Sequence, residues 1–290
     1  MKPPKFAYHS PRSLTEALQT LAEVGDEAVL LAGGQSLLPL LNMRLASPAH
    51  VVDLGRVPGL DDIRVTNGHA EVGAMVTHRR MEVDPLIAHT APLAQKAAGF
   101  VGFRAIRNRG TVGGSVAHAD PAAEWPLVLL TLDGEVDLSS ANGSRTMRAG
   151  DFFESVYSTA KRSDEVVTSV RFGTRFDRNW GFWEFQRRIG DFATVAVAVA
   201  CVVGDGSVTE ARVGIAGAAE KPVRCPAAEE ALLAGSTSAA SEAAAAAQDA
   251  VNPYDDIHGS SSYRKRLVFA ATERAATQAL GHHHGVLDHA

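Results

Sequence analysis

The chain has 290 residues, 46% of them hydrophobic, and a formal net charge of −5. That length allows one large domain or two modest ones with cores of their own. Its basic and acidic residues are interleaved, which argues against nucleic acid as a partner. No uncharged apolar run approaches the roughly 18 residues that span a bilayer; the longest, Val195 to Val203, is strand length. The opening Met1-Lys2-Pro3-Pro4-Lys5 lacks the apolar stretch of a secretory signal, so a soluble cytoplasmic protein is expected. The two cysteines, Cys201 and Cys225, have no metal-ligand spacing. An iron–sulfur cluster needs about four thiolates, so this chain alone is not expected to hold one.

Ser13 opens a helical pattern through Leu14, Ala17, Leu18 and Leu21, with Glu16 placed for a capping box and Gly25 as a stop. Ala28 to Ala32 reads as a short buried strand, interrupted by Gly33-Gly34-Gln35-Ser36. Leu37 to Leu45 reads as a helix with Pro39 in its first turn, and Val51 to Leu54 as a second strand. The first 55 residues thus predict a small βαβ-like unit. From Ile63 the period shifts toward two, and Asn67-Gly68 and Asn142-Gly143 mark hairpins. Between them lie helical segments and a glycine-rich stretch from Gly110 to Ser115. Asp120-Pro121 predicts an N-cap with proline at the first helical position, the helix running through Leu130. Past residue 178, Ala193 to Val203 and Val208 to Ala216 flank Gly204-Asp205-Gly206 as an antiparallel pair. Helical patterns follow over Pro226 to Leu233, Ser238 to Val251 and Tyr263 to Ala279. The expected organisation is a domain over residues 1–178, with subdomains of about 1–55 and 56–178, and a second domain over 179–290.

Two stretches carry chemistry. In Ala32-Gly33-Gly34-Gln35-Ser36, between a strand and a helix, consecutive glycines let a ligand approach the backbone closely, and the N–H groups there favour an anion. The same pattern also reads as an ordinary turn. Arg109-Gly110-Thr111-Val112-Gly113-Gly114-Ser115, followed by His118 and Asp120, repeats the combination of small residues, hydroxyls and a diglycine. Two such loops could grip the two phosphates of a dinucleotide from opposite sides, although neither fits the Rossmann G-x-G-x-x-G pattern. The tail His282-His283-His284 has the residue type for a metal but no carboxylate or cysteine nearby, so no metal site is expected. No serine elbow, HExxH or P-loop occurs.

In order along the chain, Ala32 to Pro39, Asn108 to Ser115 continuing through His118-Ala119-Asp120-Pro121, Arg187 to Ala193, and Asp256 to Gly259 with Tyr263-Arg264 resemble motifs of one family. It is the FAD-binding medium subunits of molybdenum hydroxylases, the carbon monoxide dehydrogenase and xanthine dehydrogenase family. The resemblance covers essentially the whole chain. It implies an α+β fold: a vanillyl-alcohol-oxidase-type flavin domain of two α/β subdomains, then a C-terminal antiparallel sheet with helices. It places Ala32, Gly33, Gly34, Gln35, Ser36 and Leu37, with Thr111, Val112, Gly113 and Gly114, at the FAD pyrophosphate, mainly through backbone N–H groups. Ser115, His118 and Asp120 would lie near the phosphates, the ribityl chain or the ring edge, Asp120 either as an acceptor or as a plain N-cap. Phe192 is a candidate to pack on the isoalloxazine and reads equally as a core aromatic at a strand start. Where some relatives carry a lysine or tyrosine before the Arg187-Arg188 pair, this chain has Trp183-Glu184-Phe185-Gln186, so no cation is assigned beside the flavin.

The resemblance implies a non-covalent FAD and no acid–base catalytic residue. Molybdopterin would sit on a large partner subunit and two 2Fe–2S clusters on a small one, the three forming a dimer of heterotrimers. Substrate and final electron acceptor stay open. Two other readings are a stand-alone flavin reductase of the same domain type and a scaffold subunit that has lost its flavin; intact diglycines in both loops oppose the second.

Overall fold

The structure is a computed structural model and describes residues 2–176 and 178–281; His282-His283-His284 lies outside them. The first unit runs β1 (Ala7–His9), α1 (Leu14–Val24), β2 (Ala28–Leu31), α2 (Leu37–Asn42) and β3 (His50–Asp53). Its three strands are parallel in the order β1-β3-β2. Ser13 caps α1, its hydroxyl accepting from the Glu16 N–H at 3.1 Å. The Glu16 carboxylate accepts from the Arg12 N–H at 2.7 Å, one residue earlier than a capping box prescribes.

The second unit holds β4 (Ile63–Thr66), β5 (His69–Gly73), α3 (His78–Val83), α4 (Pro85–Thr90), α5 (Pro92–Ala98), α6 (Arg104–Arg107), α7 (Val112–His118) and α8 (Glu124–Thr131). It continues through β6 (Glu135–Ser140), β7 (Gly143–Arg148), α9 (Ala149–Phe152), β8 (Phe153–Ser155), β9 (Ser158–Thr159) and β10 (Val166–Gly173). Five strands pair antiparallel in the order β4-β5-β10-β6-β7. Asn67 and Gly68 turn the first hairpin with φ of 50° and 75°, the double positive φ that a two-residue turn between twisted strands requires. The helix expected from Asp120 starts only at Glu124. Ala119 is left-handed (φ 52°) and the Asp120 side chain accepts from Ala122 N–H at 2.9 Å, so this stretch closes a turn before α8 begins.

The third unit is the antiparallel sheet β11 (Asn179–Phe185), β12 (Val195–Gly204), β13 (Ser207–Ala216) and β14 (Val223–Arg224), with α10 (Pro226–Leu233), α11 (Ala239–Ala250) and α12 (Ser261–Gly281). Strand β12 is buried on both faces. Val195, Val197 and Val199 pack with α10, α11 and α12, while Ala196, Ala198 and Ala200, with Phe182 of β11, join the core that the second unit builds around Trp125 and Phe172. Alanine on that second face lets α8 approach the sheet closely. A Cβ on Gly214 would lie 2.2 Å from the Thr131 hydroxyl of α8, well inside contact distance. The sheet therefore belongs to two cores at once, and its second face packs against α8, whose first residue, Glu124, lines the cavity beside the glycine loops.

Candidate functional site

The two glycine loops touch. A Cβ on Gly33 would stand 2.2 Å from the Arg109 carbonyl oxygen and 2.6 Å from Gly110 Cα, and one on Gly114 would stand 3.2 Å from Ala32 Cβ. Glycine at 33 is thus required by the contact between loops, before any ligand is considered. Gly34 has a φ of 74°, a backbone conformation that side chains resist. Beside this seam opens a cavity of about 510 Å³, within the size range of cofactor sites.

Ala32, Gly33, Gly34, Gln35, Ser36 and Leu37 line that cavity from one side. Thr111, Gly113, Gly114, Ser115, His118 and Asp120 line it from the other, and Phe192 stands at its edge. Val112 does not: its side chain is fully buried in the second unit's core. Phe192 is 61% exposed and precedes β12, so it is no core aromatic. Arg187 and Arg188 are exposed nearby.

The loops differ in the hydrogen-bonding capacity they offer. Among the described residues, the N–H groups of Gly33, Gly34, Gln35 and Ser36 take no acceptor in the chain, and Ser36 makes no side-chain cap to α2. In the second loop the N–H groups are already engaged. Val112 donates to the Val76 carbonyl and Gly113 to the Ala74 carbonyl, both at 2.9 Å, and Ser115 donates to the Thr111 carbonyl at 3.1 Å. The Gly114 N–H reaches the Thr111 hydroxyl oxygen at 3.1 Å. The second loop therefore presents hydroxyls and a flat glycine surface rather than the row of N–H donors expected of it. The reason is its docking onto the segment after β5, where a Cβ on Gly113 would meet Ala74 Cβ at 2.3 Å.

Several residues at the site carry no sequence motif. Lys161 is the one lysine of the wall among the described residues, and its ammonium donates to the Arg162 and Glu165 carbonyls at 2.8 and 3.2 Å. Burial pulls its pKa down. No described arginine lines the cavity and Lys161 is tied to backbone carbonyls, so an anionic ligand would meet mainly N–H and hydroxyl donors. His78 is buried, and its Nδ1 accepts from the Trp125 indole N–H at 2.9 Å. Burial, with the Arg107 charge behind it, lowers its pKa to about 3 and keeps the ring neutral. Tyr157 has a φ of 55°, donates to the Asp120 carboxylate at 3.0 Å and lies 4.9 Å from the His118 ring. Partial burial, then the Asp120 charge, raises its phenol pKa to about 12. The apolar half of the cavity is walled by Leu21, Leu54, Met75 and Val166. A glutamate inside an apolar run was the available signal for Glu124, whereas His78, between Thr77 and Arg79, carried none. Tyr157 and Lys161 gave none.

Residues 4–173 match the model described as FAD binding domain in molybdopterin dehydrogenase, and residues 180–279 match the CO dehydrogenase flavoprotein C-terminal domain. The chain is 40% identical to the nicotine 6-hydroxylase medium subunit of Paenarthrobacter nicotinovorans over 96% of this chain and 99% of that one. It is 33% identical to the carbon monoxide dehydrogenase medium chain of Hydrogenophaga pseudoflava, over 96% and 98%. A solved structure of carbon monoxide dehydrogenase from that organism superposes with a TM-score of 0.93 at 34% identity, covering 97% of this chain and 99% of the other. Quinoline 2-oxidoreductase from Pseudomonas putida 86 superposes with a TM-score of 0.92 at 39% identity, over the same shares. The chain belongs to the family of FAD-binding medium subunits of molybdenum hydroxylases.

Proposed function

We propose that this chain binds one FAD in the cavity between its glycine loops, takes electrons from the iron–sulfur clusters of a small partner subunit and passes them to an external acceptor. The observation that carries the proposal is the run of N–H groups from Gly33 to Ser36, with no partner among the described residues, facing the glycine surface of Gly113 and Gly114. A pyrophosphate is an anion of the right shape for such a nest. In this reading Gly33, Gly34, Gln35 and Ser36 hold the pyrophosphate through backbone N–H groups, and Thr111 and Ser115 add hydroxyls. Ala32, Leu37, Gly113 and Gly114 shape the walls. Val112 acts only by anchoring the second loop in the core.

The apolar chamber of Leu21, Leu54, Met75 and Val166 suits the adenine, which places the isoalloxazine at the open end beside Phe192, His118 and Asp120. Bound there, FAD supplies an acceptor of one or two electrons. The protein's own part is to orient the ring, to limit water behind it and to leave one edge reachable. The Asp120–Tyr157 hydrogen bond fixes the carboxylate as an acceptor for ribityl hydroxyls.

The full assembly in this reading is a cytoplasmic dimer of heterotrimers, with molybdopterin on a large subunit and two 2Fe–2S clusters on a small one. The boundary between flavin and C-terminal domains falls near Arg178. Relatives named for nicotine, carbon monoxide and quinoline match this chain over nearly its whole length, in keeping with a substrate site on another chain. Co-expression with the two partner genes tests the assignment. The expected product is a complex holding the three chains in equal amounts, whose flavin bleaches when the molybdenum subunit's substrate is added. A chain that purifies alone and reduces its own organic substrate would instead support a free-standing flavin reductase.

A further inference from the structure

Two carboxyl groups lie buried where α8, whose first residue lines the cavity, packs against the third unit's sheet. Glu184 of β11 pairs across the sheet with Ala196 of β12, and cross-strand partners share a face. That face is the one Ala196 presents to the second unit's core. Glu184 is 8% exposed, and both its carboxylate oxygens are buried without a hydrogen-bond partner. Glu124, at the start of α8, is 4% exposed and lines the cavity.

Burial first, and then the neighbouring Glu124 charge, raises the pKa of Glu184 well above the ordinary carboxylate range. Burial also raises Glu124, reinforced by the Asp120 charge and opposed by its own backbone N–H and by Arg107. The other described charged and titratable groups around them are mostly engaged elsewhere: Lys161 of the cavity wall donates to the Arg162 and Glu165 carbonyls, and only the Arg264 Nε among them is buried without a partner. His78 is neutral and accepts from Trp125. Arg107 is held by Glu82 and by the Val101 and Gly102 carbonyls. Asp120 is held by Tyr157. The buried Arg264 donates to the Thr194 and Gly217 carbonyls and to Asp256. No described cation is hydrogen-bonded to either glutamate.

We propose that Glu124 and Glu184 form a proton-binding pair that takes up one proton from water when electron transfer brings negative charge into the cavity. Glu184, which does not line the cavity and whose two carboxylate oxygens have no hydrogen-bond partner, keeps its proton throughout. Glu124, facing the cavity, is the member that titrates. When electrons arrive from a reduced iron–sulfur partner, one solvent proton binds the Glu124 carboxylate, forming one O–H bond, and it leaves again when the electrons depart. The pair thereby offsets part of the added charge in a wall whose one described lysine, Lys161, is tied to two backbone carbonyls. The redox half of this inference rests on the FAD reading above; the protonation half does not.

The test has two arms. Infrared spectra of the chain without flavin, titrated with pH, should show at neutral pH a carbonyl stretch of a protonated carboxylic acid that vanishes in Glu184→Gln. If that variant does not fold, the band's presence in the wild type at neutral pH and its loss at alkaline pH decide the same point. A wild-type spectrum with no such band overturns the pair, whether or not the chain binds FAD. In the FAD-loaded chain, titrated with dithionite, the flavin midpoint potential should depend less steeply on pH in Glu124→Gln than in wild type. An unchanged slope in a Glu124→Gln chain that retains FAD would overturn the coupling to electron uptake.

Discussion

Gly33 shows how one atom decides the site. Its missing Cβ makes room for the backbone of Arg109 and Gly110, and its N–H heads the group left without acceptors in the chain. Gly33→Ala is expected to push the loops apart, at a cost of about 1–3 kcal/mol, and to weaken FAD binding by roughly tenfold or more. Gly114→Ala meets the Thr111 hydroxyl oxygen at 2.9 Å and Ala32 Cβ at 3.2 Å; the hydroxyl can rotate and the Ala32 contact is tight by only a few tenths of an ångström, so its effect should be the smaller. Fluorescence titration of FAD into both variants checks the order, and equal losses would argue against the loop-contact account.

Glu184 gives a prediction of a different sign. Its folded-state pKa is raised above the ordinary 4.5, so above that value the native state holds a proton that the unfolded chain releases. Stability tied to this group is full at low pH and falls as pH rises from about 5 toward the raised pKa. Glu184→Gln should flatten that fall, and thermal melts across the range read it directly. A wild type and variant with parallel pH profiles would show that Glu184 ionises freely.

Among the elements, α12 holds the third sheet in place. Its Arg264 is 3% exposed and ties the Thr194 and Gly217 carbonyls, each at 2.6 Å, to Asp256. Gly217 in turn donates to the Pro121 carbonyl, just past Asp120, so this one guanidinium links the outer helix to the turn that borders the cavity. Arg264→Met should destabilise by about 3–5 kcal/mol, because it leaves buried carbonyls and a carboxylate without their partner. A urea midpoint close to wild type would mean water replaces those bonds.

The elements also show what could be read beforehand. Asn67-Gly68 and the Asp205-Gly206 turn between β12 and β13 were legible because only such pairs tolerate successive positive φ. Helix α10 was legible to the residue from Pro226 and its apolar spacing. Strand β10 was not, although it is the centre of the five-stranded sheet. A register shift between Val167 and Ser169 breaks its alternation. Strand β1 has three residues, too few for any period to show. At the site, the glycine loops were visible as motifs, but the direction of their N–H groups depends on what each loop docks against. The Glu124–Glu184 neighbourhood joins residues far apart in sequence, which no local pattern reports.

At the scale of the whole molecule, the first two units meet at one cavity, and the division of roles follows from what each contributes. The parallel sheet supplies the loop with free N–H groups, the five-stranded unit supplies the opposing glycine wall, and the third sheet packs behind α8, with Phe192, in the link between its first two strands, at the cavity. No helix among the described residues is long and apolar enough to cross a membrane, and none of their His, Cys, Asp and Glu side chains cluster as a metal site. The redox capacity proposed for this chain therefore depends on FAD. The most direct test is the visible spectrum of the purified chain, recorded before and after acid precipitation and again after adding FAD. The account predicts flavin bands in the protein that pass as intact FAD into the acid supernatant, leaving a colourless pellet. A chain that is colourless as purified and takes up no added FAD would contradict it.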